Sequence, residues 1–257
     1  DVESLGVTPY EAQDLGSITA GARDMGLNVN PACRVYGPPL IGGHAGADAL
    51  ADIVASGMYH DEAINMLIDI GTNGEVAIGN RGGIMTASCA AGGAYEGATI
   101  RCGCGAIDGA IKSLWLHDDH VDFETIGDRP AVGICGSGLI DLLAELLRTG
   151  IMSRKAKIEE DFALSDGISL GQDDIHQLIT AKAGLRTDQD LLMQYYGAEL
   201  EDVEKIYLAG GFGNFINAEN AVAIGLLPPA PDKIVRLGNA ALAGARAMLL
   251  SRKVRST

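Results

Sequence analysis

The sequence predicts an α/β domain built on a mixed sheet. Residues 66–88 read as three consecutive strands joined by tight turns. The chain beyond them alternates helix and strand, which adds parallel pairs to the hairpin-linked ones. Several strands also run into glycine-rich turns, at 71–74, 136–138 and 210–213. The 257 residues are enough for one large domain or two small ones with a substantial core.

Taken in order, residues 1–30 read as one or two helices. Thr8 is the N-cap, Pro9 stands at the first helical position, and Asn28 or Asn30 is the stop. CRVYGPPLIGG is a short strand followed by a Pro-Pro turn and glycines. Residues 46–56 form a small-residue helix stopped by Gly57, so a neighbour packs close to it. The strands at 66–70, 75–79 and 83–88 turn at 71–74 and 80–82. The glycine-rich stretch 90–111 holds a short helical piece, and weak alternation over 112–127 predicts a small strand pair. Val132, Gly133 and Ile134 form a strand. The helix at 138–149 carries Leu139, Leu142, Leu143, Leu146 and Leu147 on one face, with Gly150 as its cap. Residues 172–197 are mainly helical, started by Ser169 or Asp173. A strand at 206–209, a helix in AENAVAIGLLP, a second strand, a Gly238–Asn239 turn and an alanine-rich helix complete the chain.

Composition narrows the function. The net charge of −15 repels phosphate backbones, so nucleic acid is excluded as a partner. A nucleotide would have to be held through backbone amides and a divalent cation. No apolar run is long enough for a membrane helix and no signal pattern opens the chain, so a cytoplasmic location is expected. Cys33, Cys89, Cys102, Cys104 and Cys135 are odd in number and scattered, which favours reduced thiols. A cluster of Cys89, Cys102 and Cys104 is the minor alternative. The five histidines have no ligand spacing and receive no role, and Trp115 is read as partly buried packing.

Each glycine-rich turn alone is explained by tight turning. At three strand ends in one domain they favour a nucleotide site, since ligands of open α/β sheets bind at the carboxyl ends of strands. Asp69 is the sharpest signal. An aspartate ending an apolar strand before Gly71 and Thr72 suits a hydrated Mg²⁺ beside phosphates; the alternative is an Asx turn closing a hairpin. Glu75 either orients water or is a solvated strand residue.

DIGTNGE at 69–75 resembles the second phosphate loop of the superfamily of acetate and sugar kinases, heat-shock cognate proteins and actin (ASKHA). LAGGFGN at 208–214 resembles its adenosine motif. GGHAGADALADIV at 42–54 and GNAALAGARAML at 238–249 resemble its first and second connecting helices. The segments ASCAAGGAYEGATIRCGCGAIDGAI, GICGSGLIDLLAELLRTGIM, AKAGLRTD and IGLLPPAP are similar to the C-terminal region of reductive activators of corrinoid proteins. Gly93, Tyr95 and Cys104 are mild departures from that pattern.

The resemblance implies an actin-like, ribonuclease-H-like ATPase lobe. Residues 1–60 would be the end of a first lobe with the connecting helix, and 61–257 the second lobe. It implies ATP and Mg²⁺ as cofactors, with Asp69 holding Mg²⁺ through water and Gly71, Thr72, Asn73 and Gly74 facing the β- and γ-phosphates. Gly210, Gly211, Phe212, Gly213 and Asn214 would flank adenine and ribose. Glu96 either reaches the ribose or is a helix N-terminal charge. Gly136, Ser137 and Gly138 either close the purine side or cap the helix that starts at 138. The implied function is ATP-driven reduction of a corrinoid protein from Co(II) to Co(I). The first phosphate loop and the [2Fe-2S] domain of such proteins match no pattern in these residues, so this piece alone is expected to be inactive. The alternatives are a small-molecule kinase of the same superfamily and a non-catalytic lobe for homodimerisation or docking.

Overall fold

The computed structural model describes residues 3–8, 10–89 and 93–256. A single 3₁₀ turn, Glu3–Leu5, is followed by two short antiparallel strands, β1 (Ile18–Gly21) and β2 (Arg34–Gly37). The helices expected in residues 1–30 do not form among the described residues. Glycines at 6, 16, 21 and 26 each cost about 1 kcal/mol in a helix interior, and Gly26 adopts φ +75. The expected Thr8–Pro9 cap lies partly outside the described residues, at Pro9.

Helix α1 (Ala47–Ser56) forms as its small-residue pattern predicts and ends on Gly57 in the left-handed region, φ 72. The meander follows: β3 (Ile64–Ile70), β4 (Gly74–Asn80) and β5 (Gly83–Cys89). Among the described residues of 93–109 there is no helix. Gly97 and Gly103 lie backbone against backbone there, and a Cβ on either would enter the other's main chain.

Strands β6 (Ala110–Leu116) and β7 (Val121–Thr125) form the expected pair, and β8 (Gly133–Ile134) joins β6 in parallel. Helix α2 (Gly136–Arg148) starts two residues before the predicted 138. The hairpin β9 (Phe162–Ser165) and β10 (Ile168–Leu170) was not legible in the sequence. Helix α3 (Gln172–Tyr196) is capped by Gly171, not by Ser169 or Asp173; the Asp174 carboxylate accepts from the Gly171 N–H at 2.9 Å. Then come β11 (Val203–Ala209), α4 (Ala218–Ala223), β12 (Ile234–Gly238), α5 (Ala240–Leu250) and the short α6 (Arg252–Arg255).

The main sheet has the order β12-β11-β3-β4-β5. Strands β12, β11 and β3 are parallel, and β3, β4 and β5 are antiparallel. Strand alternation divides its two faces. Met66, Ile68, Ile70, Val76, Ile78, Ile206 and Leu208 enter the larger core with Leu139, Leu142, Leu143 and Leu146 of α2. Leu67, Ala77 and Tyr207 enter a smaller core with Ile53 of α1. Each fully buried leucine contributes about 1.5–3 kcal/mol, so the α2 stripe is a major source of stability. Asp69 lies on the same face as Leu67 by the two-residue period of β3, which turns it toward α1.

Helices α1 and α5 pack together, and the approach is closest where Gly244 meets the Ala51 carbonyl. The close contact that their small residues predict is thus made within the chain. Among the described residues no helix is long and apolar enough to cross a membrane. The cysteines are free and do not cluster as a metal cage: Cys89 lies beside Asp188, Cys102 bonds to residues 167 and 169, and Cys104 lies near Cys135. Trp115 is 45% exposed, so it is partly buried at the surface.

Candidate functional site

The parallel pairing of β3 and β11 sets Asp69 beside Ala209, so both strands open toward the same end of the sheet. The antiparallel pairing of β3 and β4 sets Glu75 opposite Asp69. The backbone leaves β11 at Gly210 with φ +90, against the Ile70 carbonyl and the Asp69 carboxylate. A Cβ at that position would lie 2.6 Å from Asp69 Oδ1. Glycine is needed here twice over, for its φ and for the space it leaves beside the carboxylate.

The turn after β3 closes with the Gly71 N–H donating to the Asn73 carbonyl at 2.9 Å. Thr72 Oγ1 donates to Glu96 Oε1 at 2.6 Å, which ties the turn to the segment after β5. Asp69, Gly71, Thr72, Asn73, Gly74, Glu75 and Glu96 are therefore gathered at one place.

Two acids that the sequence reading passed over join them from α1. Asp48 and Asp52 are one helical turn apart, and Asp52 is only 1% exposed. Their signal was an i,i+4 aspartate pair in a helix otherwise made, apart from Ser56, of alanine and aliphatic residues. Burial pushes the Asp52 carboxyl up to about 9, helped by the negative charge of Asp69 and a proton it donates to that carboxylate, and then by Asp48 and Glu75. Burial also raises Asp69, partly offset by the hydrogen bond from Asp52. Burial raises Glu75 to about 7, with the charges of Asp48 and Asp69 adding to it, while Ser88 Oγ donates to it at 3.3 Å. Asp52 Oδ1 is buried without a hydrogen-bond partner. Oxygen-only donors, mutual repulsion and an orphaned buried oxygen fit a hard divalent cation that keeps part of its water shell.

A cavity of about 840 Å³ opens nearby. Its wall includes Tyr95, Glu96, Lys112, Gly136, Ser137, Gly211, Phe212 and Phe215. Phe212 stacks on Tyr95 with ring centroids 5.9 Å apart, and the Tyr95 hydroxyl donates to the Leu178 carbonyl. Gly136 sits beneath the Phe212 ring and the Tyr95 carbonyl, where a Cβ would collide with both. Ser137 donates its hydroxyl to the Lys112 carbonyl at 2.7 Å, so that group serves the fold. Gly138 faces the Ile111 carbonyl and packs α2 onto β6. The three residues are the first turn of α2, not a separate loop. Of the loop after β11, Gly211 and Phe212 reach the cavity wall. Gly213 packs on the Ala209 carbonyl, and the main-chain carbonyls of Gly213 and Asn214 accept from Arg236.

A strand-end aspartate beside a glycine loop, with a cavity lined by the adjoining Gly211, is the arrangement by which open α/β sheets take ligands. The chain belongs to the family described as the C-terminal domain of RACo, the ASKHA domain, which matches residues 63–257; the RACo middle region matches residues 1–61. The chain is 33% identical to the corrinoid activation enzyme RamQ of Eubacterium limosum, over 97% of this chain and 47% of the relative. It is 31% identical to the [Co(II) methylated amine-specific corrinoid protein] reductase of Methanosarcina barkeri, over 86% of this chain and 45% of that protein. A solved structure of a reductive activator for corrinoid, iron–sulfur protein superposes with a TM-score of 0.89 and 34% identity, covering all of this chain and 45% of the other. The chain thus spans about half the length of the relatives it matches.

Proposed function

We propose that this chain is the nucleotide-binding part of an ATP-driven activator that lowers the cobalt of a corrinoid protein from Co(II) to Co(I). The observation that carries the proposal is the contact of Gly210 with Asp69 where β3 and β11 end, beside the 840 Å³ cavity. In this reading Asp69 holds Mg²⁺ through water, with Glu75 positioning water across the strand pair. The 71–74 turn faces the β- and γ-phosphates, and its Thr72–Glu96 bond is the element a nucleotide would rearrange. Gly211 and Phe212 flank the adenine, while Glu96 reaches toward the ribose.

Residues 1–60 form the end of a first lobe and its connecting helix, and residues 61–257 form the second lobe. The exposed Val7, Ile18 and Met25 suit a segment that packs on further protein. A [2Fe-2S] cluster in an N-terminal domain would supply the single electron that converts Co(II) to Co(I). Closure of the lobes around ATP would gate that transfer, with hydrolysis supplying the free energy for an uphill reduction. A corrinoid protein is the partner, and the setting is the cytoplasm.

The test uses the full-length protein with a reduced electron donor and a Co(II) corrinoid protein, following Co(I) by its absorption. Co(I) should accumulate only with ATP and Mg²⁺, and Asp69→Asn should slow it at least tenfold. Equal accumulation without ATP would refute the proposal. ATP turnover stimulated by a sugar or an organic acid, and not by a corrinoid protein, would point instead to a small-molecule kinase.

A further inference from the structure

We propose that the β6–β7 hairpin carries a binding site for a divalent transition-metal ion of the Zn²⁺ class, made by His117, His120 and Asp122. The site lies outside the acidic cluster and does not depend on the nucleotide reading. The four-residue connection between Leu116 and Val121 folds back on itself, with the His117 N–H donating to the His120 carbonyl at 2.9 Å. That turn stacks the two imidazoles with centroids 4.5 Å apart and brings both toward the Asp122 carboxylate. One ligand atom from each of the three side chains falls within 4.8 Å of the other two.

The separations suit a small tetrahedral ion. Asp122 Oδ2 is 3.2 Å from His117 Nε2 and 3.6 Å from His120 Nε2. Bonds of about 2.0–2.1 Å in a tetrahedron place neighbouring ligand atoms about 3.3–3.4 Å apart. Two imidazole nitrogens and one carboxylate oxygen are the donor set of a borderline ion, not of Mg²⁺ or Ca²⁺.

A second, independent feature sits behind the ligands. His120 Nδ1 is 2.7 Å from Asp119 Oδ1. A carboxylate holding the Nδ1 proton leaves the lone pair on Nε2, the nitrogen that faces Asp122. This is how ligating histidines are commonly oriented. The hairpin also borders a hollow lined by Trp115, Asp118, Glu145 and Arg148, which leaves room for water at the fourth position.

The protein's one tryptophan provides a local readout, because Trp115 is the cross-strand partner of Asp122. Zn²⁺ should be titrated by calorimetry into the chain, free of any polyhistidine tag, near neutral pH in a non-coordinating buffer. One equivalent should bind at the hairpin, separate from any taken up by the acidic cluster, with Trp115 emission changing at its midpoint. Co²⁺ should give the intense visible absorption of a tetrahedral ion. His117→Ala and His120→Ala should each weaken Zn²⁺ binding at least tenfold, and Asp119→Asn by about tenfold to a hundredfold. His176→Ala, away from the hairpin, should leave it unchanged. Asp119→Asn removes no ligand and alters only an exposed side chain, so it keeps the test valid should a histidine variant fold poorly. Absence of saturable binding at millimolar Zn²⁺, or equal affinities in the parent, His120→Ala and Asp119→Asn, would overturn the proposal and leave the cluster as simple ion pairs.

Discussion

Replacing Asp52 by Asn should stabilise the isolated chain at neutral pH. The Asp52 carboxyl moves from 3.8 to about 9 on folding, because it is buried against Asp69, Asp48 and Glu75. The folded protein therefore holds a proton that the unfolded chain releases above pH 3.8. Stability is complete below that pH and falls as pH rises toward the folded value, by about 1.4 kcal/mol per pH unit. Between pH 3.8 and pH 7 the loss reaches at most about 4 kcal/mol. Asn has the shape of the protonated acid, donates to Asp69 in the same way and takes up no proton. Asp52→Asn should then match the parent near pH 4 and exceed it at pH 7 by up to about 4 kcal/mol. Urea unfolding without divalent cations at three pH values between those limits gives the two curves. Parallel curves, or a gain at pH 7 below about 1 kcal/mol, would refute the account of a strained acidic cluster.

Glu75 contributes to the same profile over a narrower range. Its carboxyl rises from 4.5 to about 7 on folding, so stability is lost as pH climbs across that interval. Glu75→Gln should flatten that part of the urea-midpoint profile. Gly244→Val puts a branched side chain into the Ala51 carbonyl at the α1–α5 crossing. It should cost about 1–3 kcal/mol or more, read as a lower thermal midpoint. Leu142→Ala empties a fully buried position of the α2 stripe and should cost about 2–5 kcal/mol in chemical denaturation.

The parts legible in the sequence were those whose pattern is set by burial. The apolar runs of β3 and β4 and the leucine face of α2 leave a period that the structure reproduces. Asp69 stood out because it interrupts such a run. The rest depends on tertiary contact. Asp48 and Asp52 look like the solvated side of a helix until α1 is laid on the sheet. Gly136 and Gly138 look like a loop because their role is to admit Phe212, Tyr95 and Ile111. His117 and His120 show no ligand spacing along the chain, yet a four-residue turn stacks them and alternation along β7 adds Asp122. Residues 1–30 misled for a different reason. Their apolar residues are largely exposed, so the spacing there records no face packed within this chain.

The contact of Gly244 with Ala51 is next in sequence to Asp52, and that adjacency has a thermodynamic consequence. If α1 pivots on this point, Asp52 stays nearly fixed. Asp48, about 4.5 Å further along the axis, sweeps about 0.8 Å for a 10° turn. The spacing of the carboxylates, and with it their affinity for a cation, then becomes a function of helix angle. Linkage makes the relation reciprocal: whatever sets the angle of α1 tunes the affinity of the acids, and a cation among the acids biases the angle by the same free energy.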